Sequence, residues 1–330
     1  MGALFSLVAV SALVLIPLVG VMAAGLEPLF GIVIPYAAAT VFIIGFVWRI
    51  VGWGRSAVPF RIPTTCGQQK SLPWIKQNKL ENPSSTLGVI GRMALEVLLF
   101  RSLFRNLKSD MREGPKLSYG SEKWLWLAGM AFHWSFLIIA VRHFRFFLQK
   151  VPFAIAGVEQ LDSYFQIGAP LLYITDAVVL AAVGYLFIRR FYIPQVRYIS
   201  LANDYFPLLL IFSIGVTGVL MRYFLKTHIV GVKGLTMGLV SFSPKVPEGV
   251  GVVFYIHFFL VCTLLAYIPF SKIMHMGGVF MSPTRNLRAN SREIGHVNPW
   301  DYPVKVRKYE EYENDFREKM KGVGIPVEKE

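Results

Sequence analysis

Residues 133–143 read HWSFLIIAVRH, two histidines enclosing an almost wholly apolar run. An imidazole in apolar surroundings costs free energy unless something binds its nitrogens. The flanks decide what those surroundings are. From Trp124 to Phe147 the chain is mostly apolar, and about 20 such residues cross about 30 Å of hydrocarbon. The stretch therefore reads as a membrane-spanning helix with two ionisable residues ten positions apart. An ionisable residue inside a span points to a functional site.

The rest of the chain supports a membrane setting. Of 330 residues 54% are hydrophobic and 16% charged, with a mean hydropathy of +0.50, which is too apolar for an ordinary soluble domain. Six stretches have the length and character of spans: Leu4–Ala24, Phe30–Trp53, Trp124–Phe147, Phe165–Ile188, Phe206–Leu225 and Val250–Phe270. The first resembles a signal-peptide core, but no Lys or Arg precedes it and no signal-peptide layout follows. It is read as a retained helix. The expectation is an all-α membrane protein with six transmembrane helices.

Charge placement gives the orientation. Net charge is +14, yet the positive residues are not spread as a nucleic-acid surface would be. Twelve Lys/Arg lie between Gly54 and Lys123 and eleven from Lys272 onward, with Arg189, Arg190 and Arg197 between spans four and five. The opposite set of loops holds only Lys150, Lys226, Lys233 and Lys245. Basic residues gather on the cytoplasmic side. A multi-pass protein of the cytoplasmic membrane is expected, with both termini cytoplasmic and with lipid, not nucleic acid, as the partner that explains its charge.

Four regions follow: an N-terminal transmembrane hairpin (1–53), a basic cytoplasmic loop (54–123), a transmembrane core of four helices (124–275) and a cytoplasmic tail (276–330). Within the loop, IGRMALEVLLFRSLFRNL (90–107) has apolar residues near helical spacing, punctuated by Arg92, Arg101 and Arg105. It reads as an amphipathic helix, either on the membrane surface or against a partner subunit. The segment VRKYEEYENDFREKMKG (306–322) is a short charged helix, either a solvated tail or a docking segment. Cys66 falls in the loop and Cys262 in span six, with no CxxC or CxxCH in the chain. Neither a disulfide, a zinc ribbon nor covalently attached haem is signalled.

Of six histidines, His133 and His143 lie in span three and His257 and His275 in or just past span six. The two spans run antiparallel. His133 and His275 therefore lie toward the cytoplasmic face, and His143 and His257 toward the outer face. One imidazole from each helix at each level is what a bis-imidazole haem requires, and two such haems would form an electron path across the bilayer. At about 1.5 Å per residue, ten residues rise about 15 Å and eighteen about 27 Å. The mismatch of about 12 Å has to be absorbed by tilt, by haems at different levels or by a break in span six. Pro269 lies between its histidines and can bend the helix. There is no HExxH to suggest zinc. His228 and His296 are read as surface residues.

Histidines ten apart on one helix and eighteen apart on a later antiparallel helix resemble the nitrate reductase gamma-subunit family, membrane cytochromes with two haems b that exchange electrons with quinol. The likeness covers spans two to six. The family's five-helix core lacks the extra helix at 1–24, and its first cytoplasmic loop is shorter than 54–123. That loop, with PFRIPTTCGQQ, together with the chain length and the tail, resembles the DsrM group, cytochrome b subunits of sulfite-reduction-associated DsrMKJOP complexes. The resemblance implies two haems b, on His133/His275 and on His143/His257, in a four- or five-helix di-haem bundle. It also implies a menaquinone site beside the outer pair, an iron–sulfur DsrK-like cytoplasmic partner, further membrane and periplasmic subunits, and a role as the electron-transfer subunit of a quinol-dependent oxidoreductase.

Where gamma subunits have a glycine before the distal histidine of the first ligand helix, this chain has Arg142, so the family's quinone pocket does not carry over. Arg142, Arg145 and Lys150 either neutralise haem propionates, contact the quinone or snorkel to the interface. Asp176 and Arg222 are charges at spans four and five, placed to pair with each other, to contact a propionate or to relay a proton. The rival reading is a cofactor-free transporter or anchor whose histidines pack or relay protons. A gamma subunit of a respiratory nitrate reductase is a rival within the same chemistry.

Overall fold

Gly2–Ala24 forms α1, 23 residues without a charged side chain, ended by Gly25 at φ 60°. Glycine adopts that left-handed conformation without a Cβ penalty. A short turn leads into the π-helical Leu29–Val33 and then α2, Ile34–Gly54. The structure, a computed structural model, describes residues 1–56, 58, 61–62, 67–105, 108–114, 116–164, 171–293 and 306–329. Cys66 and His296 lie outside the described residues.

The amphipathic segment is not one helix. It forms α3, Thr86–Leu99, and α4, Arg101–Phe104, separated by Phe100 at φ 48°. The break is fixed by contacts from outside the segment as well as across it. The last carbonyls of a helix lack intrahelical donors, and here the indoles of Trp134 and Trp126 donate to Leu98 O (3.1 Å) and Leu99 O (2.8 Å). Glu96 Oε2 meanwhile accepts from the amide and the hydroxyl of Ser102 across the break. A small antiparallel hairpin follows, β1 Lys108–Arg112 and β2 Lys116–Gly120, turning at Gly114 (φ 75°). The all-helical expectation did not include it.

The core begins with α5, Lys123–His143, and its 3-10 extension Phe144–Phe146. Next come α6 (Phe153–Asp162), α7 (Ile174–Tyr192), α8 (Pro194–Ile199) and α9 (Ala202–Val219), which runs on as a π turn through Leu220–Phe224. They are followed by α10 (Ile229–Val240), α11 (Val252–Tyr267), the four-residue α12 (His275–Gly278) and, in the tail, α13 (Tyr309–Gly322). The neighbours pack in an antiparallel bundle: α5 on α7, α7 on α9, α9 on α11, with α1 against α9 and α11, and α2 against α11. The N-terminal hairpin is thus part of the bundle. Val10 of α1 shares a core with Val179 and Val183 of α7, Leu210 and Ile211 of α9, and Ile256, Leu260 and Leu264 of α11. Among the described residues, α5 makes its main helix contacts with α6 and α7, not with α11.

Among the described residues, five helices are long and apolar enough to cross a membrane: Gly2–Ala24, Leu29–Gly54, Lys123–Phe146, Ala202–Phe224 and Val252–Phe270. Their outer faces carry exposed Leu7, Ile16, Ile43, Val47 and Phe212, a surface suited to lipid rather than water. The chain is a multi-pass, mostly helical membrane protein. The sixth expected crossing, Phe165–Ile188, differs. Residues 165–170 lie outside the described residues, and α7 starts at Ile174 and runs to Tyr192. Its Asp176, Arg189 and Arg190 set it apart from the five. The charges suit the helix ends they occupy, acidic in the first turn and basic in the last. Helices also form where plain loops were expected, α6 within 148–164 and α10 within 226–249.

The end of the bundle that carries the termini, called here the basic end, is closed by a polar plug. Arg61 is buried and donates to Thr284 O (2.9 Å), Asn82 Oδ1 (2.6 Å) and Glu81 O (3.3 Å). Burial, and Arg92 beside it, lower the Arg61 guanidinium to about 10 against the raising effect of Glu81, so it stays cationic at neutral pH. Arg92 donates to the same Thr284 O (3.0 Å). Arg101 and Arg105 converge on Glu81 Oε1, and Arg285 pairs with Glu96. Of the arginines that punctuate the segment 90–107, Arg92 ties it to the chain after span six, as Arg285 does from the other side, while Arg101 and Arg105 tie it to Glu81.

Candidate haem sites

Two pairs of imidazoles form, one at each end of the bundle. At the basic end the ring centres of His133 (α5) and His275 (α12) are 5.9 Å apart and the planes are crossed at 81°. At the opposite, short-loop end His143 (α5) and His257 (α11) are 6.5 Å apart and nearly parallel, at 16°. A break makes both separations compatible with one pair of helices. After α11 the backbone tightens into 3-10 turns at Ile268–Phe270 and Lys272–Met274, with Ser271 extended between them (φ −118°, ψ 174°). Pro269 lies in the first turn, and its ring contacts α2 where only a glycine fits. A Cβ on Gly45 would come within 2.7 Å of Pro269 Cβ. His257 and His275 therefore do not lie on one continuous helix.

The hydrogen bonds set the tautomers. His133 Nδ1 donates to Gly129 O (2.7 Å), His143 Nδ1 to Ile139 O (2.7 Å) and His275 Nδ1 to Lys272 O (2.9 Å). A carbonyl only accepts, so the proton sits on Nδ1 and the Nε2 lone pair is open. His257 Nδ1 lies 2.9 Å from Thr217 Oγ1 on α9. Such outer hydrogen bonds orient and strengthen an imidazole as a metal ligand.

Two imidazoles binding one metal from opposite sides at about 2.0 Å per bond have ring centres roughly 6 Å apart, and both pairs match that spacing. His133, His143 and His275 are exposed and His257 half-buried, although three of them sit on apolar spans and His275 just past one. Open imidazoles at membrane depth cost free energy, and the gap between α5 and α11 is where a flat cofactor would cover them. Among the described residues no group of three or more His, Cys, Asp or Glu is arranged to hold a metal ion. Each pair thus offers two axial nitrogens, a donor set that suits a metal carried by its own macrocycle. The residues fit haem.

The surroundings of the pairs differ. Phe100 and Phe132 set ring edges on His133, each with centres 4.8 Å away. Next to His143, Arg142 is buried and donates through Nη2 to Asp176 Oδ1 (2.7 Å) and Thr175 Oγ1 (3.2 Å). Its Nε lies 3.0 Å from Asp162 Oδ2 but off the hydrogen-bonding direction. Asp162 also accepts from the amide and hydroxyl of Thr175, and Asp176 accepts from Tyr223 OH (2.8 Å). The guanidinium groups of Arg142 and Arg222 lie 3.7 and 4.0 Å from the ring centre of Tyr173. Arg222 donates to Leu171 O, while the ion-pair partner of Asp176 is Arg142. Arg145 donates to Glu159 Oε1 (2.9 Å), and Lys150 is exposed. Cys262 is a buried free thiol, and His228 caps the start of α10.

Sequence reading picked out all four histidines but not Thr217, Phe100, Asp162 or Tyr223. Asp162 carried no local signal, lying among Glu159, Gln160 and Ser163. The others act through contacts about 30 to 60 residues away, which helical periodicity does not report.

Residues 93–290, more than half of the chain and including all four histidines, match the family described as nitrate reductase gamma subunit. The chain is also similar to two proteins named Hdr-like menaquinol oxidoreductase cytochrome b-like subunit. The one from Archaeoglobus fulgidus is 41% identical over 280 residues, covering 83% of each chain. The one from Archaeoglobus profundus is 40% identical over 286 residues, covering 83% of this chain and 84% of its own. The chain belongs to the nitrate reductase gamma subunit family.

Proposed function

We propose that this chain is the di-haem cytochrome b subunit of a membrane menaquinol oxidoreductase, carrying electrons between menaquinol and a cytoplasmic iron–sulfur subunit. The observation that carries this reading is the two imidazole pairs at 5.9 and 6.5 Å, one at each end of the bundle. The names of the two archaeal relatives support the menaquinol part. Haem b bound at each pair supplies reversible one-electron chemistry. The chain supplies ligation, burial and local charge. His133, His275, His143 and His257 present Nε2 because their Nδ1 protons are taken by Gly129, Lys272, Ile139 and Thr217. Phe100 covers His133 on the side facing the basic plug. The Arg142–Asp162–Asp176 group locks α5 to α6 and α7 beside His143. Its Arg142 is buried against two aspartates, whereas Arg145 is paired only to Glu159 and Lys150 is exposed, so these two are the cations at that rim with donors left for a haem propionate or the quinol.

The positive-inside distribution supports a cytoplasmic basic end in the cytoplasmic membrane, with menaquinol at the outer side and proton release there. The plug and tail then face the iron–sulfur partner. We assign that partner to the heterodisulfide-reductase-like, DsrK-like class, and the complex to sulfite-reduction-associated respiration with further membrane and periplasmic subunits. The test is a reduced-minus-oxidised visible spectrum of the purified protein with haem quantified per chain. Two low-spin, six-coordinate haems b are expected. A folded, colourless protein would instead be a cofactor-free transporter or anchor. Pull-down with nitrate reductase catalytic subunits, rather than an iron–sulfur protein of the DsrK class, would move the chain to the respiratory nitrate reductases.

A further inference from the structure

Three of the four imidazoles bind carbonyls of their own turn of chain, four residues back for His133 and His143 and three back for His275. Those acceptors come with the backbone, and no side chain selects them. His257 differs: beside a main-chain carbonyl of the neighbouring helix, Ile214 O, it has a side-chain acceptor. Its Nδ1 meets the Thr217 hydroxyl on a neighbouring helix, at 2.9 Å. Room for this approach comes from the next residue, since a Cβ on Gly218 would already stand 3.4 Å from His257 Cε1.

The direction of the bond is settled by the other neighbours of Thr217. Its hydroxyl lies 2.9 Å from Ser213 O and 3.0 Å from Ile214 O. Both are carbonyls and only accept, and a hydroxyl has one proton. That proton goes back into α9, and the oxygen is left to accept from His257 Nδ1–H. The histidine is thereby held with Nε2 unprotonated and with its plane nearly parallel to His143.

We infer that Thr217 is the positioning residue for His257, the side chain through which the electron affinity of the short-loop-end centre is set independently of the other centre. The inference rests on the di-haem reading above. A hydrogen bond from Nδ1 to an acceptor makes the imidazole a stronger donor, which favours oxidised iron. Loss of the acceptor makes the iron easier to reduce. Changes to such outer partners alter a site by roughly 10–100-fold. No comparable substitution exists for the other three ligands, whose acceptors are main chain.

The test is a potentiometric titration of the full-length, haem-loaded protein, following the optical bands of both centres in Thr217→Val and Thr217→Ser. Val is expected to raise one midpoint by about tenfold in the reduction equilibrium, ~59 mV for a one-electron couple, and to leave the other in place. Ser, which keeps the oxygen, is expected to restore it. His257→Ala identifies the affected centre, because it removes the haem whose midpoint moved. Should Val fail to fold, Thr217→Ala removes the oxygen without adding bulk to α9 and is read in the same way. Loss of one haem in Val or Ala, with retention in Ser, also supports the role. Unchanged midpoints, a downward shift, or equal shifts in both centres would overturn it. If His257→Ala kept two haems, the His143/His257 ligand assignment would fail, and a wild-type protein without haem would sink the di-haem reading, results separate from failure of the Thr217 proposal.

Discussion

The two ends of the bundle reach the same donor set by different construction. At the basic end a helix is broken so that a histidine can arrive. His275 sits beyond two 3-10 turns on a four-residue helix, its ring crossed at 81° to its partner and bonded to its own backbone. At the short-loop end both helices are continuous, the rings are nearly parallel, and a third helix reaches in through Thr217. The buried charges also differ in kind. The basic-end plug is arginine-rich and joins segments far apart in sequence. The short-loop end has a compact group in which Arg142 faces two aspartates. The lesson is that backbone breaks set the geometry of one site and side-chain contacts between helices set that of the other, so substitutions should act on them differently.

The largest effects test the pairing itself. His143→Ala or His257→Ala is expected to remove the same single haem, and His133→Ala or His275→Ala the other, with haem per chain falling from two to one in each case. The two members of a pair giving different spectra for the remaining haem would break the assignment. Next in size is Arg142→Ala, which leaves Asp162 and Asp176 facing each other at a buried site. Removing one partner of a buried ion pair costs about 3–5 kcal/mol, and thermal unfolding in detergent should show a clear loss at both pH 7 and pH 8. The Arg101→Ala counterpart, at a partly exposed pair in the basic plug, should cost about 1 kcal/mol or less.

A smaller and purely spectroscopic difference sharpens the comparison. Crossed imidazole planes give low-spin ferric iron a more anisotropic EPR signal than parallel planes do. Oxidised protein should show one highly anisotropic and one ordinary rhombic signal, with His133→Ala abolishing the first. Two identical signals would mean that both sites settle to one geometry when loaded. Smallest is Phe100→Gly. It relieves a left-handed residue, worth about 1–3 kcal/mol, but loses the ring packed on His133. The net stability change should be small, while the basic-end haem alone becomes more accessible to water, read as a shift of its optical band.

Much of the fold was legible because membrane spans announce themselves by length and composition. α1, α2, α5, α9 and α11 fall within a few residues of their expected bounds, and the four histidines stood out against apolar neighbours. The misses share one physical origin. α3 and α4 look like a single amphipathic helix because the cause of their separation, the indoles of Trp126 and Trp134, belongs to a different helix. α7 begins where the amides of Tyr173 and Thr175 donate to Tyr223 OH and Asp162 Oδ1 on other elements, contacts that local hydropathy does not contain. Pro269 did mark the break in span six, since proline acts on its own turn. The arrangement around Arg142 looked like loose interfacial charge in the sequence. It is a closed set because Asp162 and Asp176 lie on two further elements that fold over it.

The separation of the ligands along the chain has a consequence in time. His143 and His275 are 132 residues apart, and at about 5–20 residues per second the ribosome needs roughly 7 to 26 seconds to travel between them. For most of that interval His133 and His143 are already made while both of their partners are not. On the proposed di-haem reading, cofactor loading would be a late event in biogenesis, and the last of the four histidines to emerge sits on the segment that also ties the 54–123 loop in place through Thr284 and Ala289. Closing the basic end and completing its haem site would then be one maturation step.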